Sequence, residues 1–126
     1  MAASPAYTAT PRTERAALST ANTNRDGTGT IVNLFTAGAN GSRVERITIC
    51  ATGTTTAGMI RFYLFDGTNT DLWLEVTVNA ITPSGTTKSF YIQLGSLSFI
   101  LSNGKSIRAS TNNAESFRII AEGGDF

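Results

Sequence analysis

Four Asx-Gly steps, Asp26-Gly27, Asn40-Gly41, Asp66-Gly67 and Asn103-Gly104, divide a 126-residue chain into short runs rich in Val, Ile, Thr and Phe. A glycine after Asn or Asp tolerates the positive φ angles of a tight turn. Between β-branched runs the pair is the strongest local hairpin signal. The chain is thereby constrained to a small all-β body, and nothing in it reads as a long helix.

The runs that the turns separate predict about eight antiparallel strands, at residues 30–36, 43–51, 59–65, 72–80, 89–94, 97–101, 106–110 and 115–122, with a short run at 18–23 before them. Turn signals every 8–15 residues are the spacing of a β-sandwich or barrel. We expect one jelly-roll-like β-sandwich domain over residues 19–126. Within 72–80, Leu72, Leu74, Val76 and Val78 alternate strictly with Trp73, Glu75, Thr77 and Asn79, the pattern of a half-buried strand. Residues 1–18 carry Pro5 and Pro11 without a sustained period of 2 or 3.6, and so read as an extended N-terminal arm.

The residue inventory narrows function. The chain contains no histidine, which removes the usual general base, the Ser-His and Cys-His nucleophile pairs and the commonest metal ligand. Cys50 is the only cysteine; no intrachain disulfide forms, and its setting in a strand predicts a small packed side chain. A net charge of +1 gives no overall field toward nucleic acid or an anionic membrane. No apolar stretch approaches the ~20 residues needed to span a bilayer, and residues 1–20 lack the apolar core of a secretory signal. Charged residues make up 15% of the chain against ~25% in a typical domain, leaving a Thr-, Ser- and Asn-rich surface suited to packing on other protein.

Few motifs carry chemistry. Asp66-Gly67-Thr68-Asn69-Thr70-Asp71 offers oxygens for calcium, yet a calcium loop needs six or more ligands and a hairpin turn already explains these residues. Glu75 beside Trp73 on one strand face is the best candidate for a sugar site, either in a glycosidase or in a glycan-binding module. We expect no catalytic residues and no cofactor. The candidates that remain are interface residues: Arg12 and Arg15 on the arm, Trp73 on its strand, and Phe126 as an apolar anchor after Gly123-Gly124-Asp125.

Several segments resemble one group of proteins. They are Ala21-Asn22-Thr23-Asn24-Arg25-Asp26-Gly27-Thr28-Gly29, then Phe35-Thr36-Ala37-Gly38-Ala39-Asn40-Gly41-Ser42 with Val44-Glu45-Arg46-Ile47, residues 51–58, Phe65-Asp66-Gly67-Thr68-Asn69, and residues 107–126. The likeness covers about residues 20–126 and is to small proteins encoded among the virion-structure genes of tailed bacteriophages. It implies a non-enzymatic virion component made in the host cytoplasm, above all a capsid decoration or cement protein. Such a protein would bind the major capsid protein at the capsid surface as a homo-oligomer, a trimer for preference. The alternatives are a tail, baseplate or fibre subunit, or a glycan-binding adhesion module. Partners are expected to be virion proteins, with no nucleic acid and no membrane.

Overall fold

The structure, a computed structural model, describes residues 8–126. Nine strands run through the described residues: β1 (Thr10–Leu18), β2 (Val32–Thr36), β3 (Ser42–Ala51), β4 (Gly58–Phe65), β5 (Thr70–Val78), β6 (Tyr91–Leu94), β7 (Phe99–Leu101), β8 (Ser106–Thr111) and β9 (Phe117–Asp125). They form two sheets. The first has the order β1-β9-β3-β6, with β7 also on β3; the second has the order β2-β8-β4-β5. Every strand pairing is antiparallel. The all-β sandwich expected from the sequence is the observed fold.

The pairing is nested. β1 meets β9, β2 meets β8, β3 meets β6 and β7, and β4 meets β5. It is as if one long hairpin had been folded over on itself. The ninth strand, beyond the eight expected, is β1, which the sequence expectation places in the arm; β6 and β7 match the separate runs at 89–94 and 97–101. Residues 42–44 of β3 pair with β7 and residues 47–50 with β6, and Glu45 is a bulge between them. Opposite that bulge, Gly95–Ser98 leaves the ladder, with Ser96 and Ser98 at φ 53° and 45°. β6 and β7 are thus one edge strand with an interruption.

Between the sheets lies a single core. On β9, Phe117, Ile119 and Ala121 point inward and Arg118 and Ile120 outward, as a period of two requires. Val44, Ile47, Ile49, Ile60, Phe62 and Ile107 meet them from β3, β4 and β8, all fully buried.

All four Asx-Gly glycines adopt positive φ, between 85° and 97°. Only one sits in a hairpin. Asp66-Gly67 joins β4 to β5, and Asp66 Oδ1 accepts the amides of Thr68 (2.9 Å) and Asn69 (2.6 Å). That oxygen belongs to the turn. Asn40-Gly41 and Asn103-Gly104 instead carry the chain between sheets, at β2–β3 and β7–β8, and Asp26-Gly27 lies in the long β1–β2 connection. A tight turn reverses the chain locally, but long-range pairing decides which sheet it enters.

The arm reading needs correction where the chain is described. Residues 1–7 of it lie outside the described residues. From Thr10 to Leu18 it is the edge strand β1, paired with β9 from Thr10↔Asp125 to Leu18↔Phe117. Ala16 and Leu18 point into the core, while Arg12 and Glu14 occupy the inward positions nearer the end, and those two polar residues mask the period. Pro11 is tolerated because an edge strand has one side without ladder bonds. The C-terminal Gly123-Gly124-Asp125 is likewise neither tail nor linker but the last turnless stretch of β9.

Candidate docking face

The two sheets differ in what covers them. The outward positions at the middle of β4 in the second sheet lie under the β1–β2 connection, residues 19–31. Asn22 is buried and organises that connection, donating to the carbonyls of Thr28 (2.9 Å) and Thr30 (3.0 Å) and accepting the Asn24 amide. Beneath it, Arg61 and Tyr63 project outward from β4 yet are buried, Arg61 to 3% exposure. Tyr63 donates its hydroxyl to the Asn24 carbonyl (2.7 Å), and Arg61 reaches the Asn22 carbonyl, Asn112 Oδ1 and Glu75. Glu75 Oε2 also accepts from Arg25 on the connection (2.8 Å). Arg25 first, then Arg61, holds the Glu75 carboxyl below its ordinary pKa. Over β4 this face is closed by the chain itself, while Leu72 on β5 stays 38% exposed.

The outer face of the first sheet has no such cover among the described residues. Its rows follow from the register. Thr13, Glu122 and Arg46 make one; Arg15, Ile120, Thr48 and Gln93 the next; Ala17, Arg118, Cys50 and Tyr91 the third. Ile120 is 40% exposed at the centre and Tyr91 49% exposed at the edge. Arg46 and Glu122 pair at 3.0 Å. Among the described residues Arg15, Arg118 and Lys88 have no ion-pair partner. Lys88 stands over the Tyr91 ring at 5.7 Å, and Arg118 donates to Ser116 Oγ. Beside the first row a trough of about 460 Å³ runs between Glu45, Gln93 and Ser96, with Gly123 and Gly124 in its lining.

The four residues singled out from the sequence fall in different places. Arg15 lies on the bare face. Arg12 points the other way: it sits 4.1 Å over the Phe35 ring, donates to the Thr36 carbonyl (2.6 Å), and pairs with Glu14 and Asp125. Since Phe35 and Thr36 belong to the second sheet, Arg12 ties the two sheets together. Ser42 and Arg12, in that order, hold the Asp125 carboxyl below its ordinary pKa. Phe126 continues past β9, its amide donating to the Gly41 carbonyl at the β2–β3 corner.

Trp73 is displaced from its expected face. Phe62 pairs with Leu74 and Tyr63 with Leu72, so Trp73 is the extra residue of a bulge. The bulge breaks the strict alternation of β5. Leu72 turns outward, and Trp73 packs against the core and stacks on Phe99. Trp73 and Glu75 therefore do not share a surface, contrary to the sequence expectation. What the sequence reading missed was Ile120, Arg118 and Tyr91; an apolar residue out of phase in the 117–122 alternation was the available signal.

No known protein family and no curated protein matches the chain. Among solved structures the fold is similar to that of a chain in the cyanophage Pam1 capsid asymmetric unit, with a TM-score of 0.52 and 15% sequence identity over 100% of this chain and 94% of that one. At that identity the likeness is one of fold.

Proposed function

We infer that the protein is a non-catalytic structural component of a bacteriophage virion, a decoration protein seated on the capsid shell. The observation that carries this reading is the whole-chain likeness to a capsid chain of nearly equal length. We read the nested pairing as a jelly roll, an architecture that viral capsids share with lectins and cupins. The outer face of the first sheet, uncovered among the described residues, supports a partner-binding role, and the absence of histidine from the chain fits a body without general-base chemistry. In this reading the major capsid protein is the partner, and self-association, with a trimer expected from the family resemblance, adds contacts by symmetry.

Cryo-electron microscopy of purified particles, with a tagged copy of the protein located in the density, tests the assignment. Regular density for the protein on the head is the expected result. Density confined to the tail or baseplate, or particles lacking the protein altogether, would overturn it. Sedimentation of the purified protein reads the oligomer number directly.

A further inference from the structure

We propose that the outer face of the first sheet is the surface by which this protein docks, and that its partner is a protein surface whose carboxylates surround an apolar patch. The proposal rests on the virion reading above and adds the face and the chemistry of the partner.

The argument starts from the asymmetry of the sandwich. The middle of one sheet face is covered by the chain's own residues 19–31, which bury Arg61 and Tyr63 and leave Leu72 exposed at its edge; the other keeps Ile120 open at its centre and Tyr91 at its edge. Arg15 lies directly across from Ile120, and Arg118 is in the next row on the same strand as Ile120. Lys88 stands by Tyr91 at the edge. These three cations lie together on one face without a carboxylate partner among the described residues; Arg12, Arg25, Arg43, Arg46 and Arg61 are paired, and the other unpaired cations, Arg108 stacked on Phe65 and Lys105 in the β7–β8 turn, lie elsewhere. An apolar centre with an unneutralised cationic rim is complementary to a carboxylate-rimmed apolar patch. Nucleic acid fits less well, because phosphates would strand Ile120 against charge.

The test uses heads of the encoding phage grown without this gene, mixed with the purified full chain and co-sedimented. Wild type should bind, more weakly as salt rises. Ile120→Asp should weaken binding about thirty-fold or more, as loss of a central anchor does. Arg15→Glu with Arg118→Glu should weaken it about ten-fold or more and flatten the salt dependence, while Arg15→Lys with Arg118→Lys should stay within about three-fold of wild type. Thr77→Glu, an exposed change on β5, should bind as wild type does. Circular dichroism confirms that each variant is folded.

Wild type that fails to bind heads would overturn the virion reading itself. Wild-type binding with equal binding by the Ile120 and arginine variants would leave that reading standing and overturn the docking face. Loss of self-association by Ile120→Asp with head binding unchanged would give the face to a second copy of this chain, also overturning the proposal. Binding of duplex DNA at physiological salt that the arginine reversals abolish, with head binding intact, would do the same.

Discussion

The indole of Trp73 lies on the ring of Phe99, with centroids 4.5 Å apart and planes tilted by 32°. Trp73 comes from the edge of the second sheet and Phe99 from the interrupted edge of the first, so the stack closes one open side of the sandwich. Trp73→Ala should cost about 2 kcal/mol, below the range for a fully buried tryptophan because the ring is only partly covered. A double-mutant cycle with Phe99→Ala, read by urea unfolding, should show a coupling of about 0.5–1.5 kcal/mol. Strict additivity would mean that the stack contributes nothing of its own.

Acid should loosen the opposite side. Asp125 accepts from Ser42 Oγ (2.6 Å) and Arg12 (3.0 Å), and both hold its carboxyl below the ordinary value. A carboxyl depressed in the folded state adds stability above its unfolded pKa, about 4, and loses it as pH falls through the lower folded value. Asp26, Asp66 and Glu75 are depressed as well and act in the same direction. Thermal melts from about pH 5 down to pH 2 should fall with pH, and Asp125→Asn should make the slope shallower. An unchanged slope in that variant would remove Asp125 from the account.

Gly123 tolerates no side chain. A methyl there would run into the carbonyl oxygen of Arg43 on β3, and backbone in a ladder cannot step aside. Gly123→Ala should therefore cost about 3 kcal/mol or more, seen as a lowered unfolding midpoint. Gly53 and Gly85 have open space around the same position. Alanine at either should be neutral, or stabilise by up to about 1 kcal/mol through the unfolded chain.

Arg61 pins the cover of the second sheet. Arg61→Met removes its bonds to the Asn22 carbonyl, Asn112 and Glu75. The loss should be about 2 kcal/mol, since Glu75 keeps Arg25 and partial access to water. Hydrogen exchange should quicken in residues 19–31 and at the outward positions of β4, while β9 stays protected. Uniform quickening across both sheets would mean that Arg61 supports the whole sandwich instead.

Local chemistry made some of this fold legible and hid the rest. The Asx-Gly steps marked four positive-φ glycines correctly, because that conformation is a property of two residues, but only Asp66-Gly67 forms the expected hairpin. They could not forecast that three of the four change surroundings instead of forming hairpins, since pairing partners such as β2 and β8 lie far apart in the chain. β1 was unreadable because Arg12 and Glu14 fill inward positions that the period reserves for apolar residues. The bulge at Trp73 inverted half of the most regular strand, and one extra residue is invisible to an alternation count. Of the interface candidates, Arg15 reached the bare face, but the register that gathers it with Ile120 and Arg118 exists only once β9 lies between β1 and β3.

The nested pairing also sets an order of events in time. Phe65 meets Thr70 across the Asp66-Gly67 turn, a closure that costs little chain entropy. Arg12 finds Asp125 only across a sequence separation of 113. Each pair outward from the β4–β5 tip must wait for the one inside it, or else bear the entropy of a longer open loop. Assembly should thus proceed as a zipper from the middle of the sequence to its flanks, on the slow, millisecond-to-second scale of all-β chains with distant partners.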